Sequence, residues 1–183
     1  LERDSNVAVT RVPADGNGYV DPEDIRKSIK PGTRAVVVNH ASNVIGSLQD
    51  INAIGQVVRD TDAVFIVDTC QTAGVVPIKM DEWGIDVLVY TGHKGLFGPS
   101  GIGGMIVAEE IDIRQVRTGG TGVNSVSPFH PDEYPHRLEA GTVSIPGIAG
   151  LHAAQKWFAE LGKSNAYRHV SSPMADWLNC GWP

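Results

Sequence analysis

Cysteine is scarce in this sequence, because only Cys70 and Cys180 occur among its 183 residues. Two cysteines supply neither a multi-disulfide framework nor the paired ligand spacing of a zinc site, so we expect a reducing compartment, with the cytoplasm as the default. The six histidines do not form a His-Glu-x-x-His motif. The sequence therefore predicts no metal site.

An excess of basic residues is also absent. Lys and Arg number 15 against 21 Asp and Glu, for a formal net charge of -6, and a basic stripe typical of nucleic-acid binding is missing. No apolar run reaches membrane-spanning length, and the first residues carry no apolar signal region. We expect neither nucleic acid nor a membrane as partner, but a small molecule or another protein.

What the sequence does contain is an alternation of short apolar runs and amphipathic segments. The runs at residues 35–38 and 63–67 have the composition of parallel strands buried on both faces, and residues 49–59 between them have helical spacing. A third strand is predicted at residues 85–90, after a short helix at 80–84. Residues 102–108 follow a turn too short for a parallel crossover, which predicts an antiparallel strand. The order indicates an α/β fold, a mostly parallel sheet sandwiched by helices.

The segments outside this region complete the predicted organisation. Residues 7–12 alternate apolar and polar side chains, as in a half-buried or edge strand, and Asp21 has the position of a helix N-cap. Residues 117–138 have no periodicity and are expected to form a long loop, followed by a helix from Pro146. We predict the central part of a large domain over residues 1–162 and, over 163–183, a helical segment that starts the connection to a small domain. Neither end has the character of a natural terminus, so we expect a central piece of a larger domain.

Polar side chains collect where the three predicted parallel strands end. They are His40, Ser42 and Asn43 after the first strand, Asp68 and Gln71 after the second, and Thr91, His93 and Lys94 after the third. The carboxyl ends of parallel strands share one edge of a sheet, where ligands bind, so the clusters should converge there. Each residue also has an ordinary explanation, since Asp68 could cap a turn, Asn43 could form an Asx-turn and Lys94 could be a surface lysine.

Lys94 is the most informative of these residues, because it lies in a glycine-rich turn between two apolar strands. Burial at that point would lower its pKa toward that of a usable amine nucleophile. The spacing around it is not that of a nucleotide-binding phosphate loop. An amine close to a carboxylate, amides and hydroxyls suits pyridoxal phosphate, with Lys94 forming a Schiff base with the aldehyde.

The other polar residues fit the remaining parts of that cofactor. The carboxylate of Asp68 would pair with the pyridine nitrogen and keep it protonated. Asn43 and Gln71 could hydrogen-bond the phenolic oxygen, and Thr91 and His93 could donate to the phosphate.

Four segments together resemble the class V aminotransferases of the fold-type-I pyridoxal-phosphate enzymes, within them the cysteine desulfurase and selenocysteine lyase branch. The segments are His-Ala-Ser-Asn-Val-Ile-Gly at 40–46, Val-Asp-Thr-Cys-Gln-Thr-Ala-Gly at 67–74, the lysine turn at 91–103, and Arg-Leu-Glu-Ala-Gly-Thr-Val-Ser-Ile-Pro-Gly at 137–147. They occur in the family's order, and any one alone is weak. The family usually has Ser where Thr91 stands, and the exchange keeps the hydroxyl.

The resemblance implies a homodimer with shared sites, in which Thr142 reaches the cofactor phosphate of the neighbouring subunit. It implies an amino-acid substrate, most simply cysteine converted to alanine with sulfur held on the enzyme, and a sulfur-acceptor protein as a possible partner class. Transamination and selenocysteine lyase chemistry remain alternatives. The family's N-terminal phosphate turn, its ring-stacking residue and its mobile nucleophilic cysteine find no match here, and neither Cys70 nor Cys180 takes the last role. A non-catalytic fragment that retains the fold is the alternative of another class.

Overall fold

The computed structural model describes residues 7–123 and 126–161. Elements follow along the chain in this order: α1 (Pro22–Ser28), β1 (Ala35–Asn39), α2 (Ile51–Arg59), β2 (Val64–Asp68), α3 (Met80–Trp83), β3 (Val87–Thr91), β4 (Gly103–Val107), a 3-10 helix (His136–Leu138) and α4 (Ile145–Leu161). Two compact units share these elements. The described residues up to 96, together with 103–108, form the first, which carries the sheet, and residues 97–102 with those described from 109 onward form the second.

The sheet has four strands in the order β1-β2-β3-β4. β1, β2 and β3 are parallel, with Asn39 beside Asp68 and Asp68 beside Val89, whereas β3 and β4 are antiparallel, with Thr91 beside Gly103. The predicted α/β fold and its antiparallel strand are thus confirmed. The reason is the turn between β3 and β4, which is too short to carry the chain back for a parallel pairing.

One face of the sheet carries the core of the first unit. Phe65 and Val67 of β2 have no exposed surface, and α2 packs on them through its fully buried Ile54. Gly55 lets α2 approach α3, because a Cβ there would collide with the carbonyl oxygen of Trp83. Burial of these apolar side chains is the main force holding α2 on the sheet.

Helix boundaries follow from local capping. The side chain of Asp21 accepts a hydrogen bond from the Glu23 amide at 2.8 Å, as the N-cap prediction requires. α2 begins at Ile51, two residues later than predicted, with Asp50 as its N-cap. Gln49 stays outside the helix because its side chain bonds the Val20 amide and the Gly18 carbonyl.

Two strand predictions were wrong in detail. β1 is not buried on both faces, since Val37 is 68% exposed. Within residues 7–123 and 126–161, β1 is the end strand of the sheet, and the helical core packs against the face that carries Val36 and Val38. Residues 7–12 form no strand, because alternation alone does not supply the neighbouring strand that a ladder requires.

The second unit is built around α4, which begins at Ile145, one residue before the predicted start at Pro146. Gly147 and Gly150 allow close packing, because a Cβ on Gly150 would lie 3.0 Å from Pro99 and one on Gly147 would lie 3.6 Å from Ile102. The ring of Phe97 packs on Trp157 and Phe158 at centroid distances of 5.8 and 5.7 Å. Phe97 has φ of 57°, an unusual value for a residue with a Cβ. The segment that follows Lys94 is thereby fixed to α4.

Two further sequence predictions concern the last residues of the chain and membrane-spanning helices. The helical segment predicted at 163–183 lies outside them, so the proposed division at residue 162 stays a prediction. Within the described part of the chain, no helix is both long and apolar enough to cross a lipid bilayer.

Candidate functional site

The turn after β2 is held firmly against β3. Asp68 is the last residue of β2, and its Oδ1 accepts a hydrogen bond from the Cys70 amide at 2.9 Å. Thr69, which has no exposed surface, donates from both its amide and its hydroxyl to the carbonyl of Val89, each at 2.8 Å. The carboxylate of Asp68 is therefore fixed by the backbone at the carboxyl edge of the parallel strands.

The turn after β3 carries Lys94 three residues beyond the end of the strand. Its side chain is exposed, so the expected burial of Lys94 was wrong. The physical reason is that β3 ends at Thr91 and β4 begins only at Gly103, so that Lys94 lies on a turn outside the sheet. Its amine is accessible to a ligand at that edge.

Two glycines bring the Asp68 turn and the Lys94 turn into backbone contact. A Cβ on Gly95 would lie 2.5 Å from the carbonyl oxygen of Ala73, and a Cβ on Gly74 would collide with the carbonyl of Gly95. Gly74 also has φ of 83°, which favours glycine. The absence of two side chains thus sets the distance between the two turns.

The thiol of Cys70 lies close to groups of both the Asp68 turn and the Lys94 turn. Partial burial raises its pKa, and so do a hydrogen bond to Asp68 and that residue's negative charge. The positive charge of Lys94 and a backbone hydrogen bond at Thr91 act in the opposite direction. Asp68, Lys94 and the backbone at Thr91 thus all affect the pKa of Cys70, and the net rise keeps its thiol protonated.

Thr91 and His93 are joined to each other. The hydroxyl of Thr91 lies 2.8 Å from Nδ1 of His93. When the hydroxyl donates to Nδ1, the ring proton resides on Nε2, which leaves a second donor for an anion. The predicted role of this pair in phosphate binding stays a prediction.

Asn43 lies on the loop that follows β1, and its side chain is exposed. This loop is closed at its base by a bridge between Ala41 and Leu48 and by the Ser42 hydroxyl, which accepts hydrogen bonds from the Val44 and Ile45 amides. Asn43 therefore lies on an ordered loop at the same sheet edge as Asp68. Its predicted contact with a ring oxygen stays a prediction.

Gln71 and Thr142 complete the predicted set. Gln71 is half-buried in the turn after Asp68, whereas Thr142 is exposed in the second unit, beside Gly141 with φ of 97°. The first unit thus brings together Asp68, Gln71, Thr91, His93 and Lys94.

Sequence reasoning missed the pairing of His40 with Thr72. Both are 2% exposed, and Thr72 Oγ1 lies 2.8 Å from Nδ1 of His40. Burial lowers the pKa of His40, which favours the neutral ring. The only sequence signal was a histidine directly after a strand and a threonine next to Gln71.

The donor set suits pyridoxal phosphate. It contains an accessible amine, a fixed carboxylate on the neighbouring strand, and a hydroxyl and an imidazole beside the amine. Two glycines keep the turns free of side chains where they meet. No group of three metal-ligating side chains occurs among residues 7–123 and 126–161.

A family model and several known proteins match this chain in sequence. The family model for aminotransferase class-V matches residues 1–178. A probable cysteine desulfurase of Methanothermobacter thermautotrophicus is 33% identical over 171 residues, which cover 91% of this chain and 43% of that protein. The chain therefore spans about two fifths of the length of this relative.

Solved structures agree with the sequence match. The apo cysteine desulfurase of Thermococcus onnurineus superimposes with a TM-score of 0.73 at 34% identity, over 84% of this chain and 39% of that one. A structure of SspA in complex with cysteine superimposes with a TM-score of 0.70 at 28% identity, over 82% and 40%. Because the family model covers nearly the whole sequence, this chain belongs to the class-V aminotransferase family.

Proposed function

We propose that the protein containing this chain is a pyridoxal-phosphate enzyme of the cysteine desulfurase type, which converts L-cysteine to alanine and retains the sulfur. The observation that carries the proposal is that Asp68, at the end of β2, and Thr91, at the end of β3 three residues before Lys94, lie at the same carboxyl edge of two paired parallel strands. One of the similar proteins described above is named a cysteine desulfurase, another is named a probable cysteine desulfurase, and a third, SspA, was solved in complex with cysteine, which favours this activity over transamination or selenocysteine lyase chemistry.

The residues of this chain have separate tasks in that reaction. When bound, pyridoxal phosphate supplies an electron sink for a carbanion at the substrate α-carbon. The amine of Lys94 is the covalent anchor and the group that moves protons at the α-carbon. The carboxylate of Asp68 holds a proton on the pyridine nitrogen, because a nearby negative charge favours the charged ring.

The cofactor phosphate is bound by Thr91 and His93 beside the lysine and by Thr142 of the second unit. Thr91 and His93 donate to the phosphate, and Thr142 donates to the phosphate of a neighbouring subunit. Asn43 and Gln71 hydrogen-bond the ring oxygen. Cys70 is not assigned the nucleophilic role, since a thiol whose pKa is raised by burial and by Asp68 is a poor nucleophile near neutral pH.

The remaining proposals concern assembly. A homodimer with shared sites is supported by two exposed apolar residues next to Asn43, namely Val44 at 83% and Ile45 at 62%. A sulfur-acceptor protein is proposed as the partner that removes the retained sulfur, and the cytoplasm as the compartment.

The test is attachment of the cofactor to Lys94. Mixing the protein with pyridoxal phosphate should give a visible absorption band, and borohydride should fix the cofactor on Lys94, as found by peptide mass spectrometry. Lys94→Arg keeps the charge but cannot form the bond, so it should lose both signals. Label on another lysine, or an unchanged band in Lys94→Arg, would exclude Lys94 as the anchor.

Turnover is measured separately. Alanine formation from cysteine, without release of a keto acid, should accompany cofactor attachment in an active protein, and an added reducing thiol should release the retained sulfur as sulfide. Attachment without turnover would support the non-catalytic alternative, and keto-acid formation would support transamination.

A further inference from the structure

His40 occupies the junction between the Asn43 loop and the end of β2. Its amide donates to the carbonyl of Asp68 and its carbonyl accepts from the Gln49 amide, both at 2.9 Å. The two ends of the loop that carries Asn43 are therefore joined by a hydrogen bond at His40. That residue is bonded directly to the backbone of Asp68.

The side chain of His40 joins this junction to the turn that carries Gln71. Nδ1 lies 2.8 Å from the hydroxyl of Thr72, and the same hydroxyl lies 3.4 Å from the carbonyl of Thr69. Both contacts are satisfied when Nδ1–H donates to the hydroxyl and the hydroxyl donates to Thr69. The Thr72 and Ala73 amides also donate to the carbonyl of Thr69, at 2.9 and 2.8 Å. This single carbonyl therefore accepts the hydrogen bonds that hold the turn together.

The imidazole of His40 is buried next to an aromatic ring. It is 2% exposed, and its ring meets Trp83 edge-on at a centroid distance of 6.0 Å. A buried hydrogen-bond donor that loses its partner incurs a larger penalty than an exposed one, so the Thr72 contact holds both partners in place.

We propose that His40 is a positioning residue, whose buried imidazole fixes the turn at residues 69–73 relative to the Asn43 loop. It acts through Gln71 and Asn43, the two amides assigned to the cofactor ring oxygen, and touches neither substrate nor cofactor. The link between the two segments stands on the geometry of this chain alone. Its consequence for the cofactor rests on the proposed function.

Two substitutions separate this role from simple filling of space. His40→Asn places an amide donor close to the position of Nδ1 but loses volume, whereas His40→Leu keeps most of the volume and loses the donor. If His40 only fills the core, Leu should be the milder change, because cavities in a core are costly. If His40 acts by hydrogen bonding, Asn should be the milder change. Thr72→Val removes the partner hydroxyl at nearly constant volume and serves as a second variant.

The first readout is amide hydrogen exchange without cofactor. In His40→Leu and in Thr72→Val, the Thr72 and Ala73 amides should exchange about tenfold faster, the effect of losing one hydrogen bond. His40→Asn should stay close to the parent, and the double variant that combines His40→Leu with Thr72→Val should add little to either single change. Amides of α2 serve as the internal control and should not change. A ranking in which Leu is milder than Asn would overturn the proposal.

The second readout uses protein saturated with pyridoxal phosphate. The pH at which its visible spectrum changes should shift in His40→Leu and in Thr72→Val but remain at the parent value in His40→Asn. Bound cofactor with no shift, despite faster exchange, would overturn the positioning role. If no variant and no parent binds the cofactor, the proposed function fails, while the exchange ranking still decides whether His40 holds the turn.

Discussion

At the scale of single residues, the site is defined by charges that act on one another over short distances. Cys70 is the natural reporter, because Asp68 and Lys94 move its pKa in opposite directions. A thiol reacts as its thiolate, so any change in its pKa alters the alkylation rate at fixed pH. The arrangement of the site can thus be tested without cofactor or substrate.

We predict that Asp68→Asn makes Cys70 more reactive and Lys94→Gln makes it less reactive. Removing the carboxylate lowers the thiol pKa toward its usual value, whereas removing the ammonium raises it further. Because the thiolate is the reacting form, the labelling rate at a fixed pH below the pKa should rise when the pKa falls and fall when the pKa rises. Iodoacetamide labelling across pH, in a Cys180→Ser background and followed by mass spectrometry, measures the rates.

Asp24→Asn is the matched control, since it removes a carboxylate from α1 that does not contribute to the pKa of Cys70. Its labelling rate should equal that of the parent. Equal rates in all three variants would mean that Asp68 and Lys94 do not act on this thiol.

At the scale of elements, the distance between the Asp68 turn and the Lys94 turn depends on glycine. Gly74 and Gly32 have nearly the same positive φ, 83° and 88°. They differ in their surroundings, because a Cβ on Gly32 would meet nothing within 4 Å, whereas one on Gly74 would collide with Gly95. The pair separates the effect of conformation from the effect of close packing.

We expect Gly32→Ala to lower the free energy of unfolding by about 1 kcal/mol, the effect of a left-handed conformation in a residue with a Cβ. Gly74→Ala should lower it by a further ~1–3 kcal/mol, because the two turns must move apart. Urea denaturation of both variants measures the difference. Equal losses would show that the turns tolerate a methyl group between them.

The same scale shows how far sequence alone could go. The β3–turn–β4 unit was predictable because a short Gly/Pro turn allows only antiparallel pairing, and Asp21 marked a helix start through its capping oxygen. The exposure of Lys94 and of Val37 was not predictable, because it depends on which faces other elements cover. The contact between His40 and Thr72 joins residues 32 positions apart, and only the register of β1 on β2 brings them together.

At the scale of the whole molecule, the first unit is a sheet with one well-packed face and an end strand whose other face is open. β1 consists of Ala35 through Asn39 and contains neither charge nor proline. Natural end strands usually carry such residues, because they discourage pairing with another chain. Val37 is 68% exposed, whereas Val38 packs against the core.

We predict that Val37→Lys reduces self-association of this chain without lowering its stability. The added charge faces solvent and repels a second strand. Light scattering at increasing protein concentration and the urea midpoint measure the two effects. Val38→Lys is the contrasting variant and should unfold more easily, because it buries a charge in the core. An unchanged concentration dependence in Val37→Lys would exclude β1 as the associating surface.

The position of β1 at the end of the sheet also affects how the protein should be handled. Three successive valines at a sheet end make a short, uncharged segment of high β-propensity, the composition that seeds fibrils when chains crowd together. Dilute storage and brief concentration steps should therefore preserve the sample, because pairing between such segments increases with protein concentration.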